Sequence, residues 1–458
     1  MGWRKQTCTE VVAGINFRMP SFPVRYLSLV LVLVSAWAAE TSVVPTRPKQ
    51  DANGNPIRYA ATGHASNYDE TKVGVYTLPD PLVMLSGERV RDAETWLKRR
   101  RPEIIRLYET EIYGRVPASA PPVAFEVVST EQGALDGAAV RKHLVVRFGP
   151  ATGGHKVNVV LYLPARASGP VPVLLHLLFG PPPGIASPPE AAVVAKGGKV
   201  APARPPFRET GPMADMIARG WGCAMVRYTE IEGDRADTNL SGVRRLALAP
   251  GQETPAAGEW GTIAAWAWGV SRVLDCLVAD PAVDAKRVAL VGHSRLGKTA
   301  LWAGARDERF AVIFSSCSGE MGAALARRDF GESVDDMAAN FPWQFVGSFS
   351  KYAGRWNEMP VDAHMLIALA APRPVFVTGG TQDLWADPIG QFLAQVAAGP
   401  VYRLLGCKDL GTERLPALDT PLIAGELGFH YHTGGHTMTA ADWAAFLEFA
   451  GRAFSRVQ

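Results

Sequence analysis

Apolar and polar residues alternate along residues 140–148 (VRKHLVVRF) and 156–164 (KVNVVLYLP). A period of two is typical of β-strands that bury one face. Apolar runs without alternation, typical of strands buried on both faces, follow further along the chain. The predicted strands of both kinds are, in chain order, residues 123–130, 140–148, 156–164, 171–180, 222–228, 287–292, 310–317, 374–380 and 400–406.

Other segments repeat their apolar residues every three or four positions, as amphipathic helices do. The predicted helices are residues 92–114, 259–278, 295–305, 360–370, 388–398 and 439–454. Strands that begin as an antiparallel group and then alternate with helices indicate an α/β protein. We therefore predict a sheet that is covered by helices on both faces.

The segment VALVGHSRLGKTALWAGARD, residues 288–307, combines a predicted strand, a turn and a predicted helix. Residues 292–299 match the G-x-x-x-x-G-K-T pattern of phosphate-binding loops. Gly292, His293 and Ser294 also resemble the sharp strand-to-helix turn that exposes a nucleophilic serine in α/β-hydrolases. Both interpretations need the same local structure, so residues elsewhere in the chain must decide between them.

Residues further along the chain favour the nucleophilic serine. A phosphate-binding loop needs an Asp that holds Mg²⁺ at the end of another strand, and residues 310–317 end without one. In α/β-hydrolases an acid follows a later strand and a histidine lies near the C-terminus. Asp383 follows a predicted strand, and His436 lies on a glycine-flanked loop before the last helix. The order Ser294, Asp383, His436 predicts an α/β-hydrolase fold, a three-layer αβα sandwich with a mostly parallel, twisted central sheet.

Each of these residues has an alternative role. Ser294 could cap the following helix, since serine is a frequent N-cap residue. Asp387 competes with Asp383 as the acid, or caps the helix predicted at residues 388–398. Three nearby histidines could instead bind Zn²⁺, although the sequence around them shows no clear carboxylate partner. These histidines are His430, His432 and His436.

The first 38 residues differ from the rest of the chain. An apolar run at residues 26–38 (YLSLVLVLVSAWA) follows Arg25 and ends in the A-x-A pattern of a signal-peptide cleavage site. The run is short for a membrane-spanning helix. We therefore predict a cleaved signal peptide at residues 1–38 and a secreted or periplasmic protein without membrane attachment after cleavage.

Removal of these residues makes the protein neutral. The full chain has 47 basic and 44 acidic residues, and residues 1–38 hold four of the basic residues and one of the acidic ones. The remaining 43 of each sign give no electrostatic reason to expect nucleic acid as a partner. We expect a monomer with an irregular N-terminal wrap at residues 39–90 and one catalytic domain at residues 91–458. Its four cysteines could be free or paired.

With the three candidate residues located, the sequence resembles the bacterial glucuronoyl esterases of carbohydrate esterase family 15 over roughly residues 85–455. The most specific match is GHSRLGKTALWAGA, which follows the family's G-x-S-R-x-G-K turn. Further matches are GAALARRDFGESV, VDAHMLIALAAPRPVFV, DLWADPIGQF and GGHT. The resemblance implies a secreted serine esterase, without metal or cofactor. It would hydrolyse esters between 4-O-methyl-D-glucuronic acid of glucuronoxylan and lignin alcohols.

The resemblance also implies roles for individual residues. Ser294 would be the nucleophile, His436 the general base and Asp383 the acid that orients it. Arg295 would stabilise the oxyanion through its backbone N–H and its side chain. Without the resemblance, the lysine one helical turn after Ser294 would be interpreted as a solvated residue and Trp385 as a core aromatic. The implied sugar-binding side chains are Lys298, Glu332 and Trp385.

One position departs from the family pattern. Some members carry a Glu as the acid directly after the strand that follows the serine turn, where this chain has Cys317. Glu320 comes three residues later. A thiol is mostly neutral at pH 7 and a poor acceptor, so we expect Asp383 to be the acid. The proline-rich loop after residues 171–180 leaves the second oxyanion donor open. The alternative functions are an acetyl- or feruloyl-xylan esterase and a carbohydrate-binding protein without turnover.

Overall fold

A computed structural model of the protein describes residues 47–150, 152–185 and 211–456. The chain divides into Met1–Arg47 and a compact unit, Pro48–Gln458, and the description below concerns the second of these. The predicted signal peptide and most of the proline-rich loop at residues 180–207 lie outside the described residues. Within those residues, no helix combines the length and the apolar character that crossing a membrane requires.

The centre of the fold is a sheet of nine strands in the order β1-β2-β3-β5-β4-β6-β7-β8-β9. The three pairs from β1 to β5 are antiparallel, and the five pairs from β5 to β9 are parallel. The strands are β1 Val123–Ala134, β2 Ala139–Phe148, β3 His155–Pro164, β4 Val171–Leu178, β5 Gly222–Arg227, β6 Val283–His293, β7 Phe310–Ser316, β8 Val375–Gly380 and β9 Leu427–His432.

Helices cover both faces of the sheet. They are α1 Ala93–Thr95, α2 Arg101–Glu111, α3 Met213–Ala218, α4 Tyr228–Ile231, α5 Val243–Leu246, α6 Thr262–Val278, α7 Arg295–Arg306, α8 Val334–Asn340, α9 Ala363–Ala368, α10 Pro388–Leu404 and α11 Ala440–Arg456. A π-helical turn, Trp96–Arg100, joins α1 to α2. The described part of the chain has six 3₁₀ turns, at Glu70–Lys72, Ala326–Arg328, Pro342–Gln344, Gly347–Tyr352, Trp356–Glu358 and Leu384–Ala386.

Two hydrophobic cores lie on opposite faces of the sheet. Every residue of β4 is buried, and successive side chains of a strand point to opposite faces. Val173 and Leu175 accordingly join the core that contains α6, α7 and α10. Leu174 joins the core that contains α3 and α11. These three layers confirm the predicted αβα sandwich with a mostly parallel sheet.

Two sequence predictions of local structure differ from the observed elements. The strand predicted at residues 400–406 is wrong, because α10 continues through Pro400 to Leu404. A short apolar run does not distinguish a strand from a buried helical turn, and here Val401 and Tyr402 are buried as helix residues. The single helix predicted at residues 92–114 is interrupted by the π-helical turn and ends at Glu111.

The carboxyl ends of the parallel strands place the candidate site residues at one edge of the sheet. Ser294 directly follows β6, and Cys317 directly follows β7. Asp383 lies three residues after β8, and His436 lies four residues after β9. Open α/β sheets bind their ligands at this edge, so the fold brings together residues that are far apart in the sequence.

Candidate active site

Ser294 lies in a strained turn between β6 and α7. Its backbone adopts φ 57° and ψ −130°, a region that side-chain-bearing residues rarely enter. The turn also depends on two glycines. A Cβ atom on Gly292 would lie 2.0 Å from the carbonyl oxygen of Leu296, and one on Gly297 would lie 2.9 Å from Ser315 Oγ. The sequence G-H-S-R-L-G therefore folds as a strand–turn–helix that projects the serine from the end of the sheet.

The hydroxyl of Ser294 is not used as a helix cap. Ser294 occupies the N-cap position of α7, but its side chain makes no capping hydrogen bond within the described chain. Its backbone carbonyl accepts from Gly297 N at 2.8 Å, and its backbone N–H donates to the carbonyl of Ser316 at 2.8 Å. The main chain thus fixes the turn, and within the described residues the Ser294 hydroxyl does not cap the helix.

His436 and Asp383 form a hydrogen-bonded pair next to this turn. His436 Nδ1 lies 2.7 Å from Asp383 Oδ2. The Asp383 side chain is 4% exposed, whereas that of His436 is 41% exposed. The ring of His436 packs on the ring of His293, with 4.5 Å between the centroids. Since His293 immediately precedes Ser294, this contact brings the imidazole to the serine turn.

His293 supports the pair without adding charge. Burial, followed by the nearby charge of His436, lowers the pKa of His293 well below its usual value. Its Nδ1 lies 3.1 Å from Ser316 Oγ. A neutral ring at this position does not repel the imidazolium that His436 would become as a general base.

Asp387 has a structural role, as one of the two sequence interpretations had it. Its Oδ1 accepts the backbone N–H of Gly390 at 2.8 Å and caps α10. Its Oδ2 accepts from Arg328 Nε at 2.9 Å. Burial raises the pKa of Asp387 to about 6, while Arg328 opposes that shift. Both carboxylate oxygens are therefore used in holding α10 and the Ala326–Arg328 turn.

The two residues around the family's alternative acid position are both buried. Cys317 is buried, and its φ is 46°. Burial, followed by the charge of Asp383, raises the pKa of its thiol. Glu320 is also buried, and burial followed by Asp362 raises its pKa well above the usual value. Its Oε1 has no hydrogen-bond partner among the described residues. Among these side chains, Asp383 is the one whose carboxylate contacts His436.

Arg295 is held by an acid that the sequence interpretation missed. Its Nη1 lies 2.5 Å from Asp234 Oδ2, and its guanidinium lies 5.1 Å from the ring centroid of Phe341. Three further groups donate to the Asp234 carboxylate at 2.8–3.0 Å. They are Tyr228 Oη, Trp343 Nε1 and Gln344 Nε2. The long loop after β5 was predicted to be functional by its length and position, but no local pattern singled out Asp234.

The three predicted sugar-binding residues lie together beside α7. Lys298 Nζ lies 3.0 Å from Glu332 Oε2, and Trp385 Nε1 donates to Glu332 Oε1 at 3.2 Å. The side chains of Lys298 and Glu332 are 4% and 12% exposed. Lys298 is therefore neither a solvated helix residue nor a free phosphate ligand. The cluster offers a cation, a carboxylate and the edge of an indole one helical turn from Ser294.

A short hairpin of the N-terminal wrap, residues 58–66, contacts this cluster from outside. Arg58 and Ser66 pair through their backbones, and Arg58 lies over the indole of Trp385 at 4.1 Å from the ring centroid. Thr62 Oγ1 donates to Asp335 Oδ1 at 2.5 Å, and His64 Nε2 lies 2.8 Å from Asp329. The hairpin thereby covers one face of Trp385, a contact that the wrap's irregular sequence did not indicate.

The histidines that were considered as a zinc site have other partners. His430 Nδ1 lies 2.7 Å from Asp442 Oδ1, and His432 Nε2 lies 3.7 Å from Asp442 Oδ2. Asp442 is the carboxylate partner that the sequence interpretation did not identify, and it also accepts from the backbone N–H and the hydroxyl of Thr439. His436 instead contacts Asp383. Among the described residues, the alternative grouping of these three histidines around one ion is therefore not observed.

Comparisons with known proteins identify relatives of this arrangement. A family model described as fungal glucuronyl esterase matches residues 255–406. The carbohydrate esterase MZ0003, from an unknown prokaryotic organism, is 40% identical over 396 residues, 84% of this chain and 91% of its own. A solved glucuronoyl esterase from Solibacter usitatus is 43% identical with a TM-score of 0.77, over 84% of this chain and 100% of that one. The 4-O-methyl-glucuronoyl methylesterase of Phanerochaete carnosa is 32% identical over 199 residues, 41% of this chain and 48% of that enzyme.

Proposed function

Since the chain belongs to carbohydrate esterase family 15, the glucuronoyl esterases, and is a carboxylic ester hydrolase, we propose a specific substrate for it. The enzyme hydrolyses the ester between 4-O-methyl-D-glucuronic acid of glucuronoxylan and an alcohol of lignin. The observation that carries this proposal is the cluster of Lys298, Glu332 and Trp385 one helical turn from Ser294. A polar cluster of this kind suits a hydroxyl-bearing acyl group, whereas an acetyl group offers it nothing to bind.

In the proposed mechanism Ser294 Oγ attacks the uronate carbonyl carbon, and His436 Nε2 takes the hydroxyl proton. Asp383 accepts the Nδ1–H of His436, which leaves Nε2 as the acceptor. The tetrahedral intermediate collapses to a glucuronoyl-serine ester, and the same Nε2–H protonates the departing alcohol. Water then repeats the sequence from the same side, releases glucuronic acid and restores Ser294.

Arg295 supplies charge to the oxyanion in this scheme. The backbone N–H of Arg295 is the donor that the strand–turn–helix provides in α/β-hydrolases, and its guanidinium adds a cation that Asp234 holds in place. A preorganised cation gains most as negative charge develops on the carbonyl oxygen, so it stabilises the transition state more than the neutral ester. No reorganisation is then needed during the reaction.

The cluster of Lys298, Glu332 and Trp385 beside α7 binds the sugar in this scheme. Lys298 Nζ can donate to sugar hydroxyls while Glu332 Oε2 remains its partner, and Glu332 can accept from them. Trp385 presents its N–H edge to Glu332, so the indole fixes the carboxylate that the sugar would contact. These groups would orient the uronate ring so that its ester carbonyl lies over Ser294.

Parallel assays test the proposal directly. The purified enzyme is given benzyl glucuronate and acetylated xylan, each with and without EDTA. We expect release of benzyl alcohol, unchanged by EDTA, and little release of acetate. Release of acetate alone would identify an acetyl-xylan esterase. Binding of glucuronoxylan without turnover of either substrate would identify a carbohydrate-binding protein.

We further propose that the enzyme works outside the cytoplasm after removal of residues 1–38. The support is the apolar run behind Arg25 and its A-x-A ending. N-terminal sequencing of the protein from the medium or periplasm of an expressing cell checks this. A mature chain that begins at residue 39 is expected, and an intact N-terminus in the exported protein would contradict it.

A further inference from the structure

Three different metal-ligating groups meet behind the exposed face of His436. Among the described residues, one group of three or more His, Cys, Asp or Glu side chains has its ligand atoms within 4.8 Å of one another. That group is Cys317, Asp383 and His436. Cys317 and Asp383 are buried, whereas the His436 side chain is 41% exposed. His436 is therefore the solvent-accessible ligand of the group, and an ion that binds it reaches the buried thiol and carboxylate from the solvent side.

The spacing and the chemistry of the three atoms suit a thiophilic divalent ion. Around tetrahedral Zn²⁺, bonds of about 2.3 Å to sulfur and about 2.0–2.1 Å to nitrogen and oxygen place the ligand atoms roughly 3.5 Å apart. Atoms within 4.8 Å of one another need small side-chain movements to reach that geometry. Thiolate with imidazole selects zinc-like ions over Mg²⁺ and Ca²⁺, which prefer oxygen ligands.

Binding of such an ion would block the catalytic histidine whichever ring nitrogen it used. An ion on Nε2 occupies the atom that must accept the Ser294 proton. An ion on Nδ1 replaces the hydrogen bond to Asp383, and the neutral ring then carries its one proton on Nε2. In both cases the thiol proton leaves to solvent as the sulfur–metal bond forms. Neither state can deprotonate the serine.

We propose that Cys317, Asp383 and His436 form an inhibitory site for Zn²⁺ and related thiophilic divalent ions, and that Cys317 gives the site its selectivity. The histidine and the acid serve the proposed hydrolytic reaction, on which the inhibitory effect rests. Cys317 itself has no part in that reaction. The thiol thus gives the site a preference for thiophilic ions that a carboxylate and an imidazole alone would not give.

Inhibition by Zn²⁺ tests the proposal in a tag-free enzyme that has been stripped of metal. Hydrolysis of benzyl glucuronate is followed against free Zn²⁺ for the wild type, Cys317→Ala and Cys407→Ala, each relative to its own metal-free rate. Cys407 is also a free thiol but is not part of the group. We expect EDTA-reversible inhibition of the wild type and of Cys407→Ala. For Cys317→Ala we expect an inhibition constant at least about tenfold higher, because loss of a ligand costs no less than loss of an outer partner. Mg²⁺ should leave all three unchanged.

Cobalt spectroscopy tests the same site without any substrate. Co²⁺ should give a sulfur-to-metal charge-transfer band in the wild type and in Cys407→Ala, and none in Cys317→Ala. Should that variant fail to fold, Cys317→Ser also removes the sulfur ligand and provides the comparison. A band that persists in a folded Cys317 variant, or equal Zn²⁺ inhibition with and without Cys317, overturns the proposal. A chain that binds Co²⁺ through Cys317 but does not hydrolyse the ester would refute the proposed function and leave the metal site standing.

Discussion

At the scale of single residues, neighbouring groups of similar chemistry have different surroundings. Asp383 contacts His436, while Asp387, four residues later, caps α10 and pairs with Arg328. Glu320 is buried, its Oε1 has no hydrogen-bond partner among the described residues, and burial raises its pKa. The spacing along the sequence could not separate the two aspartates, because both follow β8 and both precede α10. Their hydrogen-bond partners separate them.

Asp383→Asn should reduce kcat on benzyl glucuronate by several orders of magnitude. An amide cannot hold the Nδ1–H tautomer of His436, and in the serine-protease precedent that loss costs roughly 10⁴-fold. Asp387→Asn is the matched control. It should lower the melting temperature, since Arg328 and the cap of α10 lose a charged partner, with little effect on kcat. Steady-state kinetics and thermal unfolding of both variants check this. An active Asp383→Asn beside an inactive Asp387→Asn would reverse the assignment.

Lys298→Met should lower kcat/KM for sugar esters more than for simple esters. Methionine retains much of the buried stem but cannot donate to sugar hydroxyls or pair with Glu332. We expect a large fall in kcat/KM for benzyl glucuronate and a small one for p-nitrophenyl acetate, which has no hydroxyls to bind. Equal losses on the two esters would show that Lys298 supports the serine turn instead.

At the scale of elements, loops from distant parts of the chain contact the candidate site at the carboxyl ends of the parallel strands. The loop after β5 contributes Asp234, and the hairpin at residues 58–66 contributes Arg58. Both contacts fix a side chain that already belongs to the site, Arg295 in one case and Trp385 in the other. We therefore expect Asp234 and Arg58 to act by positioning Arg295 and Trp385. Double substitutions of the contacting residues measure this coupling.

A double-mutant cycle between Asp234 and Arg295 should show strong coupling. Arg295→Ala is expected to lower kcat by on the order of 10²–10³-fold, the usual cost of one oxyanion donor. Asp234→Asn should lower kcat less, because Arg295 remains but loses its charged anchor. The double variant should resemble Arg295→Ala alone, since residues that share one interaction are not additive. Additive losses would mean that Asp234 acts independently of Arg295.

Arg58→Ala should weaken substrate binding without slowing the chemical step. Loss of a cation–π contact at an exposed site is worth about two- to fivefold in equilibrium terms. KM for benzyl glucuronate should rise by that factor while kcat stays close to the wild-type value. Arg89→Ala removes another exposed arginine of the wrap, one that pairs with Asp80, and should change neither constant. A matching change in both variants would point to a general effect on the wrap.

The sequence predicted the elements with strong local patterns and missed those that depend on distant contacts. β4 could be located because a continuous apolar run predicts a buried strand. The Ser294 turn could be located because two glycines beside a serine predict a tight turn. Residues 400–406 were predicted to form a strand because β-branched and aromatic residues are common in strands. The prediction fails because a short run of such residues also suits a buried helical turn. Asp234 and Arg58 could not be found, because their significance comes from partners more than 60 positions away in the chain.

At the scale of the whole molecule, the sheet holds the strained serine turn between two hydrophobic cores. The positive φ of Ser294 costs free energy, on the order of 1–3 kcal/mol for such a residue. The hydrogen bond from the Ser294 N–H to the Ser316 carbonyl and the close approach at Gly292 maintain it. Ser294, Asp383 and His436 follow three strands of one sheet, so their relative positions depend on the rigidity of that sheet.

The central proposal is that Ser294 carries the glucuronoyl group between two half-reactions, and partitioning of that intermediate tests it most directly. Methyl, allyl and benzyl glucuronates are hydrolysed in a fixed concentration of hydroxylamine, with rates corrected for the uncatalysed reaction. A common glucuronoyl-serine intermediate predicts the same ratio of hydroxamate to free glucuronate for all three alcohols, and Ser294→Ala should form neither product. A ratio that changes with the departing alcohol, or a Ser294→Ala enzyme that still forms both products, would contradict the proposal.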